Sequence, residues 1–171
     1  MPSPENDGSQ KNPSLTHLDE KGHAQMVDVG DKSVTQRRAV ASGRIRMSRE
    51  ACAAIRDGSV PKGDVLAVAR IAAIQAAKET SRMIPLCHPL PLDKVTADFE
   101  FAGDDAVEVR AEVRVTARTG VEMEALSAAS AGLLTIYDMC KAIDRGMVIE
   151  TVQLVEKEGG RSGHWTRDES S

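Results

Sequence analysis

Asp138 and Lys141 stand three residues apart in IYDMCKAID, a spacing that brings two side chains together on one side of a helix. Such a pair can orient or move a proton, and it can equally be a surface ion pair of little weight. Glu122 and Glu124 begin the same stretch in TGVEMEAL. Thr119 followed three residues later by Glu122 fits a capping box, and the acids suit the positive end of a helix. Lys62 in PKGDV lies beside Gly63, just ahead of a helix start at Asp64, where anions are often held; a solvated loop lysine would look the same. Cys87 and His88 are neighbours in the proline-rich PLCHPLPL. Adjacent side chains in extended chain point to opposite sides, so the two are not expected to share a ligand, and no CxxC or HxxxH spacing supports a structural metal. Lys157, Gly159, Gly160, Arg161, Ser162 and Gly163 form a basic, glycine-rich loop able to wrap a phosphate, although the GxxxxGK[ST] spacing of a Walker motif is absent.

These residues need elements to hold them. Leu126, Ala129, Leu133, Ile136, Tyr137, Cys140 and Ile143 recur at spacings of three and four and predict a long helix within Thr119 to Asp144. Midway along it the small residues from Ala128 to Gly132 would let a second helix approach closely. Asp64 caps a predicted helix, VLAVARIAAIQAAKETSRMI, that is apolar on nearly every side and is therefore expected to be buried against a sheet on one side and another subunit on the other. A shorter helix is expected between the Ser48 cap and Gly58. Gln36 to Met47 predicts a first strand and Val148 to Val155 a last one. Between them Val95 to Phe101 and Val107 to Ala117 alternate apolar with polar residues around a GDD turn, which predicts an antiparallel hairpin with one wet face. The most economical packing is an α+β, ferredoxin-like antiparallel sheet of four strands with helices on one face.

The chain of 171 residues suits one domain, expected over 15–163, between a disordered N-terminal tail over 1–14 and a polar C-terminal tail over 164–171. A net charge of -4 and 2% aromatic residues argue against nucleic-acid binding. The three cysteines lie in apolar runs as reduced thiols would, and neither a signal-peptide pattern nor a membrane-spanning run is present, so a cytoplasmic, soluble protein is expected.

PKGDV, the Ala-rich helix, IPLCHPL, GVEMEALSAAS, IYDMCKA and GGRSG occur in one order that resembles cyclic pyranopterin monophosphate synthase, the molybdenum cofactor biosynthesis protein C family. The resemblance runs from about Leu15 to Gly163. It departs from the family pattern where Arg161 replaces Lys in GGKSG and Ala73 replaces Gly in ARIAGI. What it implies is an enzyme that rearranges a cyclised dihydro-GTP to cyclic pyranopterin monophosphate with release of pyrophosphate. It also implies sites shared between subunits of a larger homo-oligomer, a hexamer built from dimers. Under the resemblance the catalytic aspartate falls on Asp138 and its lysine partner on Lys141. Substrate binding falls on Leu86, Cys87, His88, Met123 and Glu124, with Glu122, Lys62 and Lys157 as further site members. Phosphates are assigned to Lys62, Lys157 and Arg161. No cofactor is expected, and participation of a divalent ion in pyrophosphate release is left open.

Such chemistry needs proton transfers and cations on a triphosphate. A carboxylate beside a lysine stays ionised at neutral pH, so Asp138 is expected to be a base or an orienting anion, with Lys141 or His88 as proton donor. A non-catalytic module of the same fold that binds a small ligand, or an inactive relative, is the competing reading; the presence of all these charged residues favours an active enzyme.

Overall fold

In a computed structural model, which describes residues 21–168, the elements run β1 (Thr35–Arg46), α1 (Arg49–Arg56), α2 (Val65–Lys78), α3 (Thr80–Met83), β2 (Lys94–Phe101), β3 (Ala106–Ala117), α4 (Glu122–Cys140), β4 (Val148–Glu158) and β5 (Trp165–Thr166). The predicted tail over 1–14 lies outside the described residues. Every strand pairing is antiparallel, in the order β2-β3-β1-β4-β5. The sheet therefore has five strands rather than four. The added strand, β5, arises in the expected polar tail, where Trp165 pairs with Lys157 and Arg167 donates from Nε to the Leu154 carbonyl at 2.8 Å. Its shortness and polar surroundings leave no alternation to read. β4 likewise runs beyond Val155 to Glu158, because the ladder to β1 continues through Glu156, Lys157 and Glu158.

The alternation of β3 sets the two faces. Val107, Val109, Ala111, Val113 and Val115 are buried, and in the ladder the first four oppose Ile45, Gly43, Ala41 and Ala39 of β1 and Phe101, Phe99, Ala97 and Val95 of β2, while Val115 opposes Arg37. α2 and α4 pack on that face and on each other. The other face carries Arg38, Arg44, Glu108, Glu112, Glu150 and Glu156, joined in salt bridges such as Arg38 Nε to Glu112 Oε2 at 2.7 Å.

α1 forms where expected, its Ser48 side chain accepting from the Ala51 amide at 3.2 Å. The helix predicted to run from Val65 to Ile84 is interrupted at Glu79, which divides α2 from α3. α2 is not covered on two sides within the chain. Val65, Ala69, Ala73 and Ala77 face inward, while Val68 is 45% and Ile71 65% exposed. The small run of α4 is also not an outward groove, since Ala128, Ala129 and Gly132 are buried. Gly132 sits under the Phe99 ring: a Cβ there would come within 2.9 Å of Phe99 Cζ. Gly132→Val should therefore overpack the interface of α4 with β2 and lower stability by about 1–3 kcal/mol, read as a lower urea midpoint at unchanged slope. The residues that α4 turns outward are Ser130 and Ala131, half-buried, and Leu134, 59% exposed.

Candidate functional site

α4 carries chemistry at both of its ends. At its C-terminal end, Asp138 is gripped by two ammonium groups, one on each carboxylate oxygen: Lys141 Nζ donates to Oδ1 at 2.7 Å and Lys62 Nζ to Oδ2 at 2.9 Å. Lys62 also donates to the Asp138 main-chain carbonyl at 2.9 Å. Lys62 reaches this point because its loop leads straight into α2, whose N-terminus lies beside the C-terminal end of α4; Asp64 caps α2 by accepting from the Ala67 amide at 3.0 Å. The lysines hold the Asp138 carboxyl at about 2, Lys141 contributing more than Lys62. All three side chains are about half exposed, so the cluster forms an open cationic surface and not a closed cavity. Directly inside it, burial pushes the Cys140 thiol up to about 11, which makes it a packing group.

At the N-terminal end, Leu86, Cys87, His88, Glu122, Met123 and Glu124 line one cavity of about 300 Å³. Cys87 and His88 both line this pocket. The Cys87 amide donates to the Ile84 carbonyl at 3.1 Å, closing a turn just before the two residues. Thr119 does not cap α4. Val121 occupies the cap position without a side-chain bond, and the Glu122 carboxylate is taken by Lys157 Nζ at 3.1 Å instead of turning back to the helix.

Glu124 is the least exposed charged residue of the site, at 4%, and lies against Gly120 and Cys87. Burial raises its carboxyl above the usual carboxylate range, and the neighbouring Glu122 charge adds to this. Burial, with the Glu124 charge, also raises the Cys87 thiol, so Cys87 sits in the wall as a neutral group and not as a thiolate nucleophile. Lys157 donates a second bond to Ser162 Oγ at 2.6 Å, which ties the glycine-rich loop to the same end of α4.

The residues singled out from the sequence therefore collect into two groups within one chain. Glu124 and Asp138 are separated along α4 by fourteen positions, or about 21 Å at the helical rise. The chain also matches the model of the MoaC family over residues 26–160, a stretch that contains both groups except for Arg161. The chain belongs to the MoaC family. Membership ties it to molybdenum cofactor biosynthesis. No described helix is long and apolar enough to cross a membrane.

Two contributions to this candidate site escaped the sequence reading. Val27, Val29 and Lys32, from the irregular arm ahead of β1, help line the Cys87 cavity. Arg37 holds the turn before α4 by donating to the carbonyls of Ala117, Arg118 and Gly120 at 3.0, 2.8 and 3.4 Å. The arm carries no periodic pattern, and the Arg37 contacts span about eighty residues of sequence.

Among the described residues one trio could reach a cation: Glu156, Glu158 and His164, whose ligand atoms lie within 4.8 Å of one another. It sits with Arg38 on the open sheet face. Arg38 Nη1 already neutralises it, at 2.9 Å from Glu156 and 3.2 Å from Glu158. With His164 Nε2 3.0 Å from Glu156, the trio acts as an ion-pair network joining β4 to the turn before β5.

Proposed function

We propose that the chain is a cyclic pyranopterin monophosphate synthase, converting a cyclised dihydro-GTP to cyclic pyranopterin monophosphate and pyrophosphate. The observation that carries this reading is the Lys62–Asp138–Lys141 cluster, in which one carboxylate gathers two ammonium groups on an open surface. Asp138, with both oxygens occupied and its carboxyl held at about 2, is a weak base. Its role is to hold the two lysines together against their mutual repulsion. They can then stabilise negative charge as it develops on the substrate and hand protons to and from it. At the other end of α4, Cys87, His88, Met123 and Glu124 receive the purine-derived rings. Glu124, which burial inclines to keep its proton, joins His88 and Lys141 as a candidate proton donor.

The two ends of one α4 are too far apart to enclose one substrate. A second copy resolves this if two α4 helices cross antiparallel on their outward sides, so that Glu124 of one chain meets Asp138 of the other. The exposed Val68, Ile71 and Leu134 supply the apolar surface for that contact. The reading is thus a homodimer with two shared sites, assembling further into a hexamer, in the cytoplasm, with a nucleotide-derived small molecule as substrate and without nucleic acid or a resident cofactor.

Purified protein incubated with the cyclised dihydro-GTP is expected to release pyrophosphate and a product oxidisable to a fluorescent pterin. Absence of both, from a folded protein, would overturn the assignment.

A further inference from the structure

Little apolar surface attaches β5 to the sheet. Both of its residues are exposed, Trp165 at 40%, and its ladder to β4 consists of Trp165 opposite Lys157 and Thr166 opposite Glu156. Polar contacts of the flanking residues supply the remainder. The Arg167 amide donates to the Val155 carbonyl at 2.8 Å, Arg167 Nε donates to the Leu154 carbonyl at 2.8 Å, and His164 Nε2 stands 3.0 Å from Glu156 Oε1. Exposed contacts of this kind are individually weak, so an element held by so few of them opens at low cost and the loss of one shifts the balance.

Directly ahead of β5 runs the glycine-rich loop. Its first half is fixed against β1: a Cβ at Gly159 would strike the Gln36 carbonyl, and one at Gly160, at φ +74, would lie 2.6 Å from Arg37 Nη1, so glycine is what lets the chain pass this close. Its second half, Arg161 to Gly163, is exposed. There the Gly163 amide donates to the Gly160 carbonyl at 3.3 Å, and Ser162 Oγ accepts from Lys157 Nζ at 2.6 Å. The placement of that half therefore depends on where β5 holds the chain beyond it. Lys157 in turn pairs with Glu122 at 3.1 Å, so the contacts run from β5 through Ser162 and Lys157 to the N-terminal end of α4.

His164 is the contact in this attachment whose partners are carboxylates. Glu156 and Glu158 stand two residues apart on the open face of β4, and both draw on Arg38, which divides its guanidinium between them and Glu112. Arg110 is farther off, 3.9 Å from Glu156. That sharing leaves room for one more donor, and His164 takes the place, 3.0 Å from Glu156 and 3.9 Å from Glu158. The Glu156 carboxyl is held below its ordinary range, by His164 first and Arg38 second. An ionised carboxylate accepts and does not donate, so Nε2 carries the proton. We propose that β5 is a strap on the glycine-rich loop and that His164 is its latch, a positioning residue that keeps Ser162 against Lys157 and so acts through the loop. The effect on turnover rests on the synthase reading, while the latch itself does not.

Trp165 is the single tryptophan of the chain, so its fluorescence reports on β5. His164→Leu should open the strap, read as a roughly twofold rise in the acrylamide quenching constant at an unchanged melting temperature. His164→Gln should quench like the unaltered protein, because its amide nitrogen can donate where Nε2 does. With the cyclised dihydro-GTP as substrate, His164→Leu should raise KM roughly fivefold and leave kcat within about twofold, the pattern of lost binding, and His164→Gln should restore KM. A folding defect would instead lower kcat through the active fraction and leave KM alone. Folded His164→Leu protein whose Trp165 quenches as before, or whose strap opens with KM unchanged, would overturn the proposal, as would a His164→Gln protein that behaves like His164→Leu. An enzyme active in all three forms with one KM keeps the reaction and loses the latch. A folded protein that gives no product loses the reaction, and the quenching of the two variants then decides the latch.

Discussion

Asp138→Asn should abolish turnover, by a factor on the order of 10² to 10⁴, while leaving the circular dichroism and the melting temperature close to those of the unaltered protein. The amide keeps the size of the side chain but brings one acceptor oxygen and an NH₂ donor to two ammonium groups, so Lys62 and Lys141 lose both their shared counter-charge and their spacing. Stability should barely change, because the cluster is exposed and such ion pairs are screened. The sign of the pH effect follows from the lowered carboxyl. Held at about 2 against an ordinary 3.8, Asp138 contributes its pairing fully above about pH 4 and loses it as pH falls toward 2. Any change of activity with pH between 5 and 8 must then come from other groups. A carbon-13 titration of the Asp138 carboxyl checks this directly: a midpoint near 4 or above would show that the lysines do not hold it. A folded Asp138→Asn protein with near-normal turnover would remove the cluster from the reaction.

What was legible in the chain follows the range of the forces involved. β3 could be read residue by residue because one sheet face is buried and the other wet, so its composition carries a period of two. α1 was legible because its Ser48 cap and its Gly58, at φ +68, are local signals. The faces of α2 and α4 were harder. Both are rich in alanine, and alanine suits a helix-to-sheet contact and an outward surface equally well, so the small run of α4 was assigned outward when Phe99 in fact covers Gly132. Pairings between distant segments left no trace in local spacing. Asp138 and Lys141 could be joined from their separation of three, but Lys62 meets Asp138 across seventy-six residues, and Glu122 was given to a helix cap when Lys157, thirty-five residues away, claims its carboxylate. The arm carrying Lys32 has no periodicity at all, and its part in the site depends only on where β1 begins.

Mixing two inactive proteins should restore activity. Glu124→Gln and Asp138→Asn damage opposite ends of α4, and each is expected to be inactive alone, because every site in its homodimer lacks one of the two groups. In a mixed dimer with antiparallel α4 helices the damage segregates. One site receives the altered Glu124 and the altered Asp138 together, and the other receives both intact residues. Random pairing after joint unfolding and refolding makes about half of the dimers mixed, each with one working site of two, so recovery should approach roughly a quarter of the unaltered activity. Glutamine keeps the volume of the buried Glu124 side chain, which guards against a simple folding failure. The double variant carrying both changes in one chain supplies the control. Mixed with unaltered protein, it forms dimers in which each site has one damaged half, so it should depress activity and rescue nothing. Mixed dimers of the single variants that are shown to form, yet remain as inactive as either parent, would place both ends of α4 in separate sites and rule out the shared one.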